Sequence, residues 1–445
     1  MILVDREMER RQREGNPILV AMVGAGYIGQ AIALEIITGI VGMRLVAVAN
    51  RTLARAEKVL QEAGADSVQR VETVAQLEAV AAKNGYACTD DLSLVCKAGN
   101  IDAVIEVTGT VEVGAGVAKM AIEHGKHVIL ANAELDATLG PILKMYADRA
   151  GVIYTDTDGD EPAVAMNLYR FVKGIGYHPV GAGNIKGFLN RYRTPDTQQE
   201  IAAKNNQNPR QLTSFADGTK LSMEATVLAN ATGFRVGQRG MYGPECKHVK
   251  DVVKLLPSDQ LLHGGLVDYV LGAEPGMGAF VIGYSDHPVK QRYMRVFKMG
   301  DGPFYLFYTP FHLLPLELPN SISRAVLFKD AAVTPAGKPV CDVAAFAKRD
   351  LKAGEVLDGI GGFTCYGMID NAEVVLEQGL LPMGVSEGCI LNRDIRKDEA
   401  IPYESVTLPP GRLADRMRAE QQQHFFGKTA GPAAARATLA ATAPR

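Results

Sequence analysis

Three glycines give the first chemical signal. Gly24-Ala25-Gly26-Tyr27-Ile28-Gly29 follows a continuous apolar run at 18–23 and precedes a helical pattern at 30–39. In that setting Gly24 permits a tight turn, Gly26 lets backbone N–H groups approach a diphosphate, and Gly29 lets helix and strand pack closely. The helix N-terminus adds about half a positive charge facing the phosphates. Tyr27 and Ile28 then line the same loop. The next apolar strand, 45–49, ends in Asn50-Arg51-Thr52, where an NAD-binding chain would place an acid for the ribose hydroxyls. Arg51 suits a 2′-phosphate instead, so the expected cofactor is NADP. Thr108-Gly109 and Asn132-Ala133 end later strands, on the edge that faces the ligand crevice, and are expected beside the ribose and nicotinamide.

Three polar clusters follow. Asp158-Gly159-Asp160-Glu161-Pro162 places three carboxylates in four residues. These suit a divalent cation or, equally, the cap of a helix starting near Pro162. Gly183-Asn184-Ile185-Lys186-Gly187, with Arg191 and Arg193 beyond it, suits an anionic substrate or forms a basic surface loop. Asp217-Gly218-Thr219-Lys220 opens a helix that carries Glu224, with Asp217 placed as its N-cap. Lys220 and Glu224 lie one turn apart, as a surface ion pair would. A lysine beside a nicotinamide would also donate a proton or hydrogen bond to a carbonyl as hydride arrives.

The elements that must position these residues alternate. Strands are expected at 18–23, 45–49, 103–107, 127–131 and 152–156, with helices at 30–39, 54–63, 72–83, 115–124 and 141–149. Such alternation gives a parallel, doubly wound sheet. Beyond about residue 180 the pattern becomes α+β, with a helix at 219–232 and strands at 279–284 and 293–299. From 341 an internal echo appears, 348–357 (KRDLKAGEVL) against 392–401 (NRDIRKDEAI). It marks a small β-rich module. The fold class is therefore α/β, with a Rossmann domain at 1–160, a central α+β domain at 161–340, a β-rich domain at 341–426 and a disordered Ala/Pro-rich tail at 427–445.

Composition sets limits. Charge is almost balanced, 47 basic against 50 acidic residues, so no basic face for nucleic acid is expected. No apolar stretch is long enough to span a membrane, and the charged first residues do not read as a signal peptide. Six cysteines without a CxxC pair fit reduced thiols in a cytoplasmic protein. Glycine, 46 of 445, is in excess of the usual frequency of roughly 7%. The dinucleotide loop accounts for part of that excess.

The loop VAMVGAGYIG, the strand ending EVTG, the segment HVILANAE, GNIKG and the helix after Asp217 resemble the homoserine dehydrogenase superfamily over about residues 17–235. The segment from about 341 to 409 resembles a SAF domain. The combination is more similar to 1-deoxy-D-xylulose 5-phosphate reductoisomerase-like enzymes, in NAELDATLGPILK (132–144), YADRAGVIYT (146–155), NLYRFVKGIG (167–176), SFADGTK (214–220) and KRDLKAGEVLDGIG (348–361). Against true homoserine dehydrogenases, Glu134 stands where the family has lysine, and Lys220 and Glu224 reverse the family's acid-then-lysine order. A different polar, phosphorylated substrate fits those departures.

The resemblance implies rearrangement of 1-deoxy-D-xylulose 5-phosphate and its reduction by NADPH. Lys186 and Lys220 would then polarise oxygens, Asp217 would shuttle a proton or orient Lys220, and Arg191 and Arg193 would hold the phosphate. Asp158 and Asn184 would complete the substrate contacts. Asp158, Asp160 and Glu161 are the local candidates for the divalent cation that the unrelated main reductoisomerase family uses. The resemblance also implies a homodimer. A plain dehydrogenase acting on a sugar acid or hydroxy-acid, and a non-catalytic NADP-binding sensor, remain open alternatives.

Overall fold

A computed structural model describes residues 4–429 and 431. The chain divides into two compact units. The first comprises residues up to Asp136, Ile142–Asp160 and Leu313–Thr334; the second comprises Ala137–Pro141, Glu161–His312 and Pro335 onward.

The first unit holds seven strands: β1 Ile18–Val23, β2 Met43–Ala49, β3 Val68–Arg70, β4 Tyr86–Thr89, β5 Ala103–Glu106, β6 His127–Leu130 and β7 Tyr154–Asp156. They lie in the order β3-β4-β2-β1-β5-β6-β7, all parallel. The chain leaves β1 toward one edge and crosses back to β5 on its other side. Such a reversal opens a crevice at the carboxyl ends of the strands. Strand β5 is buried along its whole length and β1 almost so, as their unbroken apolar runs require. The core joins Ile32 and Ile36 of helix Tyr27–Thr38 to Leu318 and Ile322 of helix Leu314–Ser323, which arrives late in the chain. Short strands β3 and β4 carry too few residues to register as a pattern. The helix expected at 141–149 begins eight residues earlier and runs Ala133–Ala150, with Pro141 inside it. Asn132 sets that start, its Oδ1 accepting the Leu135 N–H at 3.1 Å.

The second unit centres on a four-stranded sheet of β8 His178–Lys186, β9 Leu266–Leu271, β10 Met277–Tyr284 and β11 Phe304–Thr309. Its order is β11-β10-β8-β9, with β8 and β9 parallel and the remaining pairs antiparallel. Helices Glu161–Gly174 and Thr219–Thr232 cover one face, and Leu221, Ala225 and Leu228 of the latter enter the core. The strand expected at 293–299 is instead the end of helix Pro288–Val296. Pro288 opens it, and the His287 ring accepts the Val289 N–H at 3.2 Å, so capping outweighs the local alternation of apolar and charged residues.

The region after 341 supplies the antiparallel pairs β12 Cys341–Ala347 with β13 Cys365–Asn371, and β14 Ile390–Leu391 with β15 Val406–Thr407. The echo noticed in the sequence is a structural duplication. Leu351 and Ile395 exchange backbone hydrogen bonds of 2.8 and 3.0 Å. Arg349 pairs with Glu355, and Arg393 with Glu399. Asp394 accepts the Ala353 N–H at 3.0 Å while Asp350 accepts the Lys397 N–H at 2.8 Å. Each half thus caps a loop of the other. The tail expected at 427–445 lies, at residue 430 and from residue 432 onward, outside the described residues.

Candidate active site

In the first unit the glycine loop has the geometry its spacing predicts. Gly24 has φ +118°, and a Cβ there would lie 2.6 Å from the Val107 carbonyl oxygen. A Cβ on Gly29 would lie 2.9 Å from the Gly24 oxygen, so both positions need glycine for packing. Gly26 differs: it is the N-cap of helix Tyr27–Thr38, no side chain caps that end, and no protein atom lies within 4 Å of an added Cβ. This cradle, open at an uncapped helix terminus, fits a dinucleotide diphosphate. Arg51 is exposed at the end of β2, and the Asn50 amide is turned back to the Thr52 carbonyl at 2.9 Å. Gly109 takes φ +68° beyond β5 with open space around it.

Thr108 and Asn132 lie two residues beyond β5 and β6, and their side chains converge on a residue that sequence reasoning missed. Glu106 is fully buried; it accepts the Thr108 hydroxyl, the Thr108 N–H at 2.8 Å and the Asn132 amide at 2.7 Å. Burial raises its carboxyl above the ordinary range, and these bonds oppose the rise. The cue was an acid closing an otherwise apolar strand. Ala133 is buried at the start of the helix after β6.

The densest polar cluster lies in the second unit. Side chains alternate along a strand, so Asn184 and Lys186 share one face of β8. Gly183 between them has no room for a side chain, since a Cβ would lie 1.6 Å from the Asp268 carbonyl oxygen of β9. The Lys186 ammonium sits between two carboxylates, bonded to Glu161 Oε2 and 3.2 Å from Glu224 Oε2. The Asn184 amide donates to Glu224 Oε2 at 3.1 Å, and Lys220 lies 3.8 Å from Glu224 Oε1 on the same helix. His312 Nε2 is 3.9 Å from Glu161 Oε1. Both carboxylates are only 2% exposed.

Electrostatics follows from that burial. Desolvation, then repulsion from Glu161, pushes the Glu224 carboxyl up to about 7 against the pull of Lys186 and Lys220. Burial disfavours the Lys186 charge, but its two carboxylates outweigh that and hold the ammonium protonated. The cluster can therefore supply a cation to polarise an oxygen and a carboxyl that gains or loses a proton near neutral pH. Glu161 and Glu224 were not singled out as catalytic in the sequence. Their signals were the acidic run at 158–161 and the one-turn spacing from Lys220.

The other expected site residues lie elsewhere. Asp158, in the first unit, is held by the buried Arg324 at 3.0 Å and by the Ser321 hydroxyl at 3.0 Å, a structural pairing rather than an open substrate ligand. Asp217 is not the N-cap; Gly218 is, with φ +86°. The Asp217 carboxylate accepts the Thr219 N–H at 2.8 Å and pairs with Lys348 at 2.7 Å, apart from the Lys186 cluster. Arg191 lies over the Tyr366 ring at 5.9 Å and Arg193 over Phe188 at 5.2 Å, both on the segment that leaves β8. The carboxylates at 158, 160 and 161 do not assemble as a cation site. Among the described residues no group of three or more His, Cys, Asp or Glu side chains is placed to hold a metal ion. No helix among them is long and apolar enough to cross a membrane.

Comparison with known proteins defines the class. Residues 18–131 match the model of an oxidoreductase family with an NAD-binding Rossmann fold. The chain is an NAD(P)-dependent oxidoreductase. More particularly, residues 159–318, which carry Glu161, Asn184, Lys186, Lys220 and Glu224, match the model described as oxidoreductase DRL, catalytic domain. No curated protein matches the sequence. Among solved structures, an NAD-binding oxidoreductase from Klebsiella pneumoniae is 19% identical, over 39% of this chain and 43% of that one, with a TM-score of 0.27. A homoserine dehydrogenase from Thiobacillus denitrificans is 17% identical over 76% and 83%, with a TM-score of 0.41. A scyllo-inositol dehydrogenase from Lactobacillus casei is 13% identical over 65% and 75%, with a TM-score of 0.37.

Proposed function

We propose that the protein is an NADPH-dependent reductoisomerase that converts 1-deoxy-D-xylulose 5-phosphate to 2-C-methyl-D-erythritol 4-phosphate. The observation that carries this reading is the Glu161–Lys186–Glu224 cluster, with Lys220 beside it. A skeletal rearrangement removes a hydroxyl proton, moves a carbon–carbon bond and returns a proton. Reduction of the resulting aldehyde then takes one hydride and one further proton. Such a sequence needs a group that both accepts and donates near neutral pH, and Glu224 meets that need. Lys186 and Lys220 hold developing negative charge on the substrate oxygens. Asn184 orients the Glu224 carboxylate. Arg191 and Arg193 supply the phosphate contacts, and Arg51 the preference for the 2′-phosphate. Bound NADPH supplies the hydride. Glu161 and Glu224 hold the Lys186 ammonium between them, so the donor set does not fit a divalent cation and no step is assigned to one. The same reading makes the active form a homodimer, which light scattering tests.

The test is NADPH oxidation by purified protein, with and without magnesium. Consumption dependent on 1-deoxy-D-xylulose 5-phosphate, and rescue of a cell lacking its own reductoisomerase, is the expected result. Turnover confined to unphosphorylated sugar acids or hydroxy-acids, read as NADP+ reduction, would overturn it in favour of a plain dehydrogenase. NADPH binding with no turnover on any substrate would favour a sensor.

A further inference from the structure

Helix Thr219–Thr232 brings both Lys220 and Glu224 to the cluster, and its first turn is held by residues from the region after 341. Thr219 Oγ1 accepts the Gly367 N–H at 2.9 Å, and the Ser222 hydroxyl donates to the Gly367 carbonyl at 3.2 Å. One residue of β13, through its N–H and its carbonyl, therefore grips two residues three apart, on one helix face. Gly367 must be glycine for this approach, since a Cβ would lie 2.8 Å from Val343 and 3.0 Å from Thr219 Cγ2. Lys348, just past β12, closes the other side. Its ammonium pairs with the Asp217 carboxylate at 2.7 Å and donates to the Arg193 and Gly362 carbonyls, each at 2.8 Å. Asp217 in turn takes the first free N–H of the helix. Lys348, Asp217, Thr219 and Ser222 are all buried.

We propose that the region after 341 is a positioning element of the reaction site, with Lys348 and the backbone N–H and carbonyl of Gly367 fixing the rotation and start of the helix that presents Lys220 and Glu224. This rests on the reading of those two residues as reacting groups. Anchoring the Thr219–Ser222 face sets the phase of every other face. About 10° of rotation carries a side-chain tip ~6 Å from the axis by about 1 Å, and a misplacement of that size can cost on the order of 100-fold in rate.

Two substitutions at one position separate positioning from bulk stability. Thr219→Val keeps the shape and loses the acceptor; Thr219→Ser keeps the acceptor. Thr219→Val is expected to lower kcat at least about tenfold, with NADPH affinity unchanged and faster amide hydrogen exchange in the peptide spanning 219–224. Thr219→Ser is expected to restore both. Lys348→Met should follow Thr219→Val, and Glu355→Gln, on the exposed Arg349 pair of the same region, should behave as wild type. Wild-type kcat and exchange in Thr219→Val would overturn the proposal. So would an equal loss in Thr219→Ser. If the wild-type protein does not turn over 1-deoxy-D-xylulose 5-phosphate, the proposed function fails, and the exchange comparison alone decides the positioning role.

Discussion

Replacing Glu224 by glutamine tests the electrostatic argument most directly. The side chain is 2% exposed, and burial with repulsion from Glu161 lifts its carboxyl from 4.5 to about 7. Between those values the native protein holds a proton that the unfolded chain has released, so stability falls as pH rises through the window. The contribution is full below 4.5 and gone above 7. At 1.36 kcal/mol per unit the loss is about 3 kcal/mol. The attractions of Lys186 and Lys220 are already inside that net shift. Glutamine imitates the protonated carboxyl and removes the penalty. The stability of Glu224→Gln relative to wild type should therefore grow by about 3 kcal/mol from pH 4.5 to 7 and then level off. Turnover should fall by roughly 100-fold or more, because the amide transfers no proton. Unfolding at pH 5, 6, 7 and 8, with infrared titration of the protonated carboxyl band, reads both sides. Parallel stability curves, or a carboxyl band that titrates alike in the two proteins, would refute the reasoning.

Gly26→Ala should leave thermal stability within about 0.5 kcal/mol, as an unstrained surface change does, because an added Cβ meets no protein atom. It should nevertheless weaken NADPH binding, read by fluorescence titration; unchanged affinity would remove the diphosphate from that cradle. Gly183→Ala should cost at least about 3 kcal/mol or abolish folding, since its Cβ would lie 1.6 Å from the Asp268 oxygen. A melting temperature near wild type would show that β8 and β9 can separate freely. Arg51→Asp should lower the NADPH-over-NADH preference roughly 10- to 100-fold, the worth of a charge-assisted hydrogen bond; an unchanged ratio would leave Arg51 without a cofactor role.

Local pattern carried the first unit. Ile18–Val23 reads as a buried strand because every residue is apolar, and the glycines after it read as a turn because their spacing leaves little else to form. The site in the second unit was legible only in pieces. Lys186 meets partners 25 and 38 residues away, and pairing between a strand and two separate helices leaves no periodic trace in the chain. The acidic run at 158–161 looked like one cluster. Yet Asp158 finds its cation 166 residues on, at Arg324, while Glu161 opens a helix and meets Lys186. Asp217 looked catalytic beside Lys220 because the lysine that neutralises it stands far along the chain, at 348. The repeat after 341 was legible because its two halves keep the same Arg-Asp-to-Glu spacing.

The threading of the first unit has a consequence for how the protein is made. Leu318 and Ile322 complete the core around Ile32 and Ile36, although the glycine loop and most of the sheet are translated long before them. A ribosome that has delivered residues 1–160 has delivered a cofactor unit with an open seam, and must build much of the second unit before the seam can close. Nascent chains shorter than about 334 residues should therefore depend on chaperones, and a fragment ending near 160 should be insoluble however complete its dinucleotide motif.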